Sequence, residues 1–295
     1  MRPRVVGLLG LLVWSLAVAG LGAPVASARV VVPARIDWVA SRLTVTTQAR
    51  PLTGIATAHG KDLAFTQAFE AATSEIRAVV GAIWLTSYTS LDDACAGGIL
   101  AKDTLDEVLK GVRPTWQKWD QSRGILTLTC ELALRGPRTL SEVAAQMLLF
   151  EQKHLTASGF PPRHSSQEIR PCSPRLIKQL ADGPYTGVLI DCRGMGYVPA
   201  LLPKLITWER TPFWGTVGLN PQRVMEQGMV GYATSVRQAM RAGRVGTTPY
   251  LLRPVATIGA FHNDLVLSRE DVELLRTQDP ALAFLLALPV VILID

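Results

Sequence analysis

The chain has 295 residues, enough for two domains of ordinary size, and with 48% hydrophobic against 18% charged residues it can bury a core. Its net charge of +6 is spread thinly: residues 29–150 hold 13 basic and 12 acidic side chains, and residues 151–295 hold 15 and 12. Neither half is basic enough for a nucleic-acid surface, so nucleic acid is not an expected partner.

The chain opens MRPRVVGLLGLLVWSLAVAGLGAPVASARV. Arg2 and Arg4 precede an uncharged run from Val5 to Gly22, and Ala26-Ser27-Ala28 is a small-x-small site, the layout of a signal peptide over residues 1–28. An apolar run of about 18 residues could also anchor in a bilayer. The cleavage site and the Gly and Pro near the run's end favour release, with cutting near Ala28 and a periplasmic or outer-membrane-associated product. Arg29 rather than cysteine follows the cut, so no lipid anchor is expected.

Residues 29–157 read as one α+β domain. RLTVTTQ (42–48) is a strand, and KDLAFTQAFEAATSEIRAVVG (61–81) is a helix with Phe65, Phe69, Ala72, Ile76, Val79 and Ile83 at helical spacing. Its many alanines would let a sheet approach closely, and Gly81 would end it. AIWLTSYTS (82–90) reads as a strand and DTLDEVLKG (103–111) as a short helix. VRPTWQKWD (112–120) is an extended segment that its proline confines to an edge or bulge. ILTLTCELAL (125–134) alternates, with Leu126, Leu128, Cys130, Leu132 and Leu134 on one face. TLSEVAAQMLLFEQKHL (139–155) is a helix capped by Thr139 or Ser141. Helices covering one face of a largely antiparallel sheet follow from this order.

Residues 40–150 resemble a family of bacterial envelope domains found in small outer-membrane lipoproteins and at the N-terminus of the flagellar H-ring protein. The resemblance rests on Ala64, Ala68, Ala71 and Ala72 of the long helix, Gly81 at its end, Gly111 before paired strands, and the LSEVA segment. Trp84 stands where the family pattern has leucine, with Leu85 one place later. The family brings no catalytic residues, and the missing acylated cysteine means that lipid anchoring does not carry over. The resemblance implies a component of an envelope assembly.

SGFPPRHSSQEIRPCSPR (158–175), with four prolines, reads as a linker to a second α+β domain, residues 176–295, again expected as a mixed or antiparallel sheet covered by helices. TGVLID (186–191) is its first strand. PQRVMEQG (221–228) and ATSVRQAMRAG (233–243) are short helices, and TPYLLRPVATI (248–258) and DLVLS (264–268) are strands. SREDVELL (268–275) is a helix with Ser268 and Asp271 placed as a capping box. ALAFLLAL (281–288) is a buried helix, and PVVILID (289–295) an apolar, central strand. GVLIDCRG, PALLPK, GYA, RVG and DLVLSREDVELL are similar to segments of uncharacterised exported bacterial proteins, from which no activity carries over.

Each putative domain holds two of the four cysteines, so bridges Cys95–Cys130 and Cys172–Cys192 are the favoured pairing of three; four reduced, buried thiols are the alternative. No C-x-x-C pair exists, and no metal or cofactor is expected. Gly194 and Gly196 follow the 186–191 strand, but Pro199 stands where a dinucleotide loop needs its third glycine, so a turn is the better reading. Cys192 with His262 is the one thiol–histidine pair worth naming as a nucleophile and base. Asp191 and Arg193, with Asp264 and Arg244, could form a polar patch at strand ends. Trp208, Phe213 and Trp214 could form an aromatic contact surface, against ordinary packing under a loop. No paired-carboxylate motif emerges, since Glu70 and Glu75 are five apart on one helix.

The resulting expectation is a non-enzymatic exported envelope protein acting through contact with other envelope proteins, a homo-oligomer being compatible. A periplasmic hydrolase or thiol enzyme using Cys192 and His262, or a small-ligand-binding module walled by Asp191, Arg193 and Trp214, are the alternatives.

Overall fold

The computed structural model describes residues 27–51, 58–158, 170–172, 179, 184–278 and 282–295. The signal-peptide reading of residues 1–26 and most of the 158–175 linker lie outside the described residues.

In the first half, β1 (Ser27–Asp37), β2 (Arg42–Arg50), β3 (Arg113–Asp120) and β4 (Ile125–Ala133) form an antiparallel sheet in the order β1-β2-β4-β3. Period-two patterning places Leu43, Val45, Thr47 and Ala49 of β2 beside Leu126, Leu128, Cys130 and Leu132 of β4, all buried. Thr47 is admitted because its hydroxyl donates to the Ala68 carbonyl at 2.8 Å. The opposite face is polar: Thr46 meets Thr129, and Gln48 donates to Thr127. β3 is an edge strand whose register shifts between Pro114 and Trp116, as its proline requires.

Helix α1 (Ala58–Gly81) covers the apolar face. Its buried line is Ala64, Ala68, Ala72, Ile76 and Val80, while Phe65 and Phe69 are only partly buried and stack on each other. The helix is therefore turned from the phenylalanine-led face that spacing suggests. Alanines allow close approach to the sheet, and the larger rings occupy its flank. Residues 82–90 are not a strand. They form a tight loop closed by a single Trp84–Ser90 bridge, and Ser90 then caps α2 (Leu91–Ala96) through a capping box with Asp93. Loop and cap hydrogen bonds, which pattern alone does not reveal, take the backbone groups a sheet would have used. Helices α3 (Thr104–Leu109) and α4 (Leu140–Ser158) fall where the sequence places them.

The second half contains two sheets. One is wholly parallel, ordered β10 (Pro249–Leu252), β6 (Gly187–Asp191), β13 (Val290–Leu293), β9 (Gly231–Ala233). The central pair, β6 and β13, is buried at every residue, which is why both read as uninterrupted apolar runs. A Cβ at Gly187 would lie 2.6 Å from the Pro289 carbonyl oxygen, so β6 begins with the residue its neighbours permit. The other sheet is mixed: β5 (Arg170–Pro171), β11 (Ala256–Ile258), β12 (Asp264–Val266), β7 (Leu205–Ile206), β8 (Pro212–Trp214). Residues 248–258 are thus two strands in different sheets, parted at Arg253-Pro254. Helices α5 (Pro221–Gln227), α6 (Val236–Arg241) and α7 (Arg269–Gln278) pack around them, with the Asp271 amide accepted by Ser268. Residues 283–287 form a 3₁₀ turn, not an α-helix, flanked by Leu282 and Leu288 in the left-handed region.

The halves share one apolar core and several polar bonds. The amides of Leu201 and Leu202 donate to the carbonyls of Trp84 and Leu85, Ser141 donates to Met225 O, and Gln152 donates to the carbonyls of Thr216 and Leu219. A half-buried Lys204–Glu151 pair at 2.8 Å adds a charged tie.

Candidate functional site

All four strands of the parallel sheet end on one edge, the place where open α/β sheets usually receive ligands. Asp191 closes β6 there. Arg193 grips it with two bonds, Nε to Oδ1 at 2.8 Å and Nη2 to Oδ2 at 3.0 Å. Arg253, just past β10, donates to the carbonyls of Asp191 and Arg193. Asp295, just past β13, accepts the Gly194 amide on both carboxylate oxygens. Burial pushes the Asp191 carboxyl up, but the Arg193 bonds and the charges of Arg193 and Arg253 outweigh it and hold the pKa below the ordinary carboxylate value. The turn after β6 uses Gly194 at φ +71° and Gly196 at φ +62°, and its anion is the chain's own Asp295. The cluster is closed: each carboxylate faces a donor within the protein.

Asp264 and Arg244 do not join this patch. Asp264 is buried in the mixed sheet, accepts the Lys204 amide at 2.8 Å, and is pushed up to about 6 chiefly by burial. Arg244 sits at the opposite end of the parallel sheet. It donates to the carbonyls of Gln227, Gly228 and Met229, which lead into β9, and of Leu288, which leads into β13.

The cysteines are all free, so neither Cys95–Cys130 nor Cys172–Cys192 is bridged. Cys130 points under α1 from the middle of β4, and burial pushes its thiol up to about 11; Cys95 lies on α2 beside Asp92 and Arg77. Cys172 and Cys192 influence each other electrostatically, yet their backbones are held to different sheets, Cys172 N–H by Val255 O and Cys192 N–H by Leu293 O. Cys192 is 1% exposed, and burial, then Cys172 and Asp191, raise its thiol well above the ordinary range. The chief groups acting on it are Cys172, Asp191, Arg253 and Asp295, not His262. That histidine occupies the β11–β12 turn at φ +55°, its Nδ1 buried without a hydrogen-bond partner among the described residues.

The aromatic trio packs inward. Trp214 is buried with its indole N–H on Leu285 O at 3.1 Å, Phe213 is buried with Arg276 over its ring, and Trp208 is half-buried with Arg269 over its ring. They form no exposed contact patch, and they do not wall a pocket with Asp191 and Arg193.

A cavity of about 30 Å³ lies elsewhere, between the halves, lined by residues that include Trp38, Ser41, Arg135 and Ser141 from the first half and Gly228 and Tyr232 from the second. Tyr232 exchanges two hydrogen bonds with the Ala200 backbone, and its ring meets Trp38 edge-on at 5.4 Å.

Residues 187–295 match the family model of Treponema pallidum Tp0624, second domain. No curated protein matches the chain. The match to the Tp0624 second domain starts at the first residue of β6 and takes in the whole parallel sheet, Arg253 and Asp295 included. It is compatible with a two-domain layout. Arg135, across the cavity, lies outside it.

Sequence reasoning missed Arg253, Asp295 and Arg135. The first two could have been found by asking which charged residues immediately follow each parallel strand. Arg135 carries no comparable signal beyond its place in a turn after a strand.

Proposed function

We propose that this is an exported, non-enzymatic component of a periplasmic or outer-membrane assembly, acting by protein–protein contact through the outer edge of β1. The carrying observation is that Val30, Val31 and Val32 are 37%, 44% and 44% exposed on the strand that, among the described residues, ends the first sheet. An unpaired strand edge offers a row of backbone donors and acceptors to an added strand. Pro33 and two register shifts along β1 restrict which strands can pair there. β1 and its neighbour β2 carry Arg29, Arg35, Arg42 and Arg50 against Asp37, so the fitting occupant is an extended acidic segment of another envelope protein. The leader's layout and the resemblance of residues 40–150 to envelope assembly domains support the same reading. No helix among the described residues is long and apolar enough to cross a membrane.

The test places a photo-crosslinking residue at Val31 and, as a control, at Thr127 on the polar face of the sheet. A defined crosslinked partner is expected from position 31 alone, lost in Val30→Lys/Val32→Lys without a change in melting temperature beyond a few degrees. Equal crosslinking from both positions, indifference to the lysines, or turnover of a substrate by purified protein would sink the proposal.

A further inference from the structure

The cavity between the halves contains an electrostatic imbalance. Arg135 has no acid and no hydrogen-bond acceptor partner among the described residues; the groups acting on it are Tyr232, a neutral phenol, and its neighbour Arg244. Arg244 is fully engaged by four backbone carbonyls. Two guanidiniums thus influence each other in a partly buried space where one is structural and the other is spare. Burial lowers the Arg135 pKa, which records the cost of holding that charge without a counter-charge. A half-buried cation of this kind is costly unless an anion is supplied.

We propose that the cavity binds an oxyanion, a carboxylate or phosphate group, with Arg135 as its counter-ion. A planar guanidinium can give two parallel N–H···O bonds to such a group. About 30 Å³ holds an oxyanion head and not a drug-sized molecule, since one water needs about 10–15 Å³ on this measure. The edge-on pair of Trp38 and Tyr232 forms an apolar wall beside it, and the hydroxyls of Tyr232 and Ser141 already donate to Ala200 O and Met225 O. Recognition therefore falls on Arg135. Because the lining comes from both halves, bound anion would tie them together. The inference does not depend on the β1 edge, and either can fail alone.

The test is thermal melting and titration calorimetry of purified wild-type protein, R135Q, R135K and the surface control R237Q. Acetate and inorganic phosphate are compared with chloride at matched ionic strength. Wild-type and R237Q melting temperatures should rise with the logarithm of oxyanion concentration. The affinity should fall at least about tenfold in R135Q, with R135K intermediate because it keeps the charge but not the fork. R135Q without anion should melt no lower than wild type, since it sheds an uncompensated charge. Whether acetate or phosphate acts at the lower concentration identifies the group. An unresponsive wild-type protein, or an R135Q that responds as wild type does, would overturn the proposal; should R135Q not fold, a loss of affinity in R135K carries the same decision.

Discussion

The strand-end cluster and the inter-half cavity are both rich in arginine, yet they are electrostatic opposites. At the strand ends Arg193 and Arg253 face Asp191, and Asp295 takes the Gly194 amide, so the charges are consumed by the fold. In the cavity Arg244 is consumed by backbone carbonyls while Arg135 is left facing open space. A cluster of charges at a topologically favoured edge is thus a poorer sign of a ligand than one charge left without its complement.

Removing charges on each side separates the two regions. Arg244→Gln should have the largest effect, a loss of about 3–5 kcal/mol in urea unfolding, because buried carbonyls at the entrances to β9 and β13 lose their donors together. If Arg244 and Arg135 were interchangeable, R244Q would be as mild as R135Q. Asp191→Asn should cost about 3 kcal/mol, since Arg193 and Arg253 then lose the carboxylate they both face and Asp295 alone is left acting on Arg193. Its wild-type contribution has the sign of a lowered carboxyl pKa: present above the unfolded value of 3.8 and lost as pH falls through the folded one.

Asp264 has the opposite sign. Its folded pKa, about 6, lies above 3.8, so its contribution is fully favourable below pH 3.8 and is lost as pH rises through about 6. Asp264→Asn should therefore stabilise the protein at pH 8 by about 1–3 kcal/mol and flatten the stability profile between pH 4 and 6. A profile unchanged by the substitution would place the carboxylate in a better-solvated site. The smallest effect concerns rates and not stability: with a thiol reagent, denatured protein should yield four thiols, and in native protein Cys130 and Cys192 should react more slowly than Cys95 and Cys172. A count of two after denaturation would show that a bridge forms in the protein as isolated.

The alternation of residues 125–134 and the apolar run of 289–295 determined by themselves that β4 has one buried face and that β13 is central, because side-chain period and apolar continuity are local properties of the chain. The proline at 114 likewise announced an edge. The rotation of α1 toward its alanines, the loop at 82–90 and the split at Arg253-Pro254 were decided by which surfaces meet and which backbone groups find partners. The candidate site was decided there too. Asp191 and Arg193 could be named from their position, but whether their charges were free depended on Arg253 and Asp295, distant in sequence. Arg135 became notable only because no acid among the described residues packs against it, and compensation of charge depends on spatial neighbours rather than sequence neighbours.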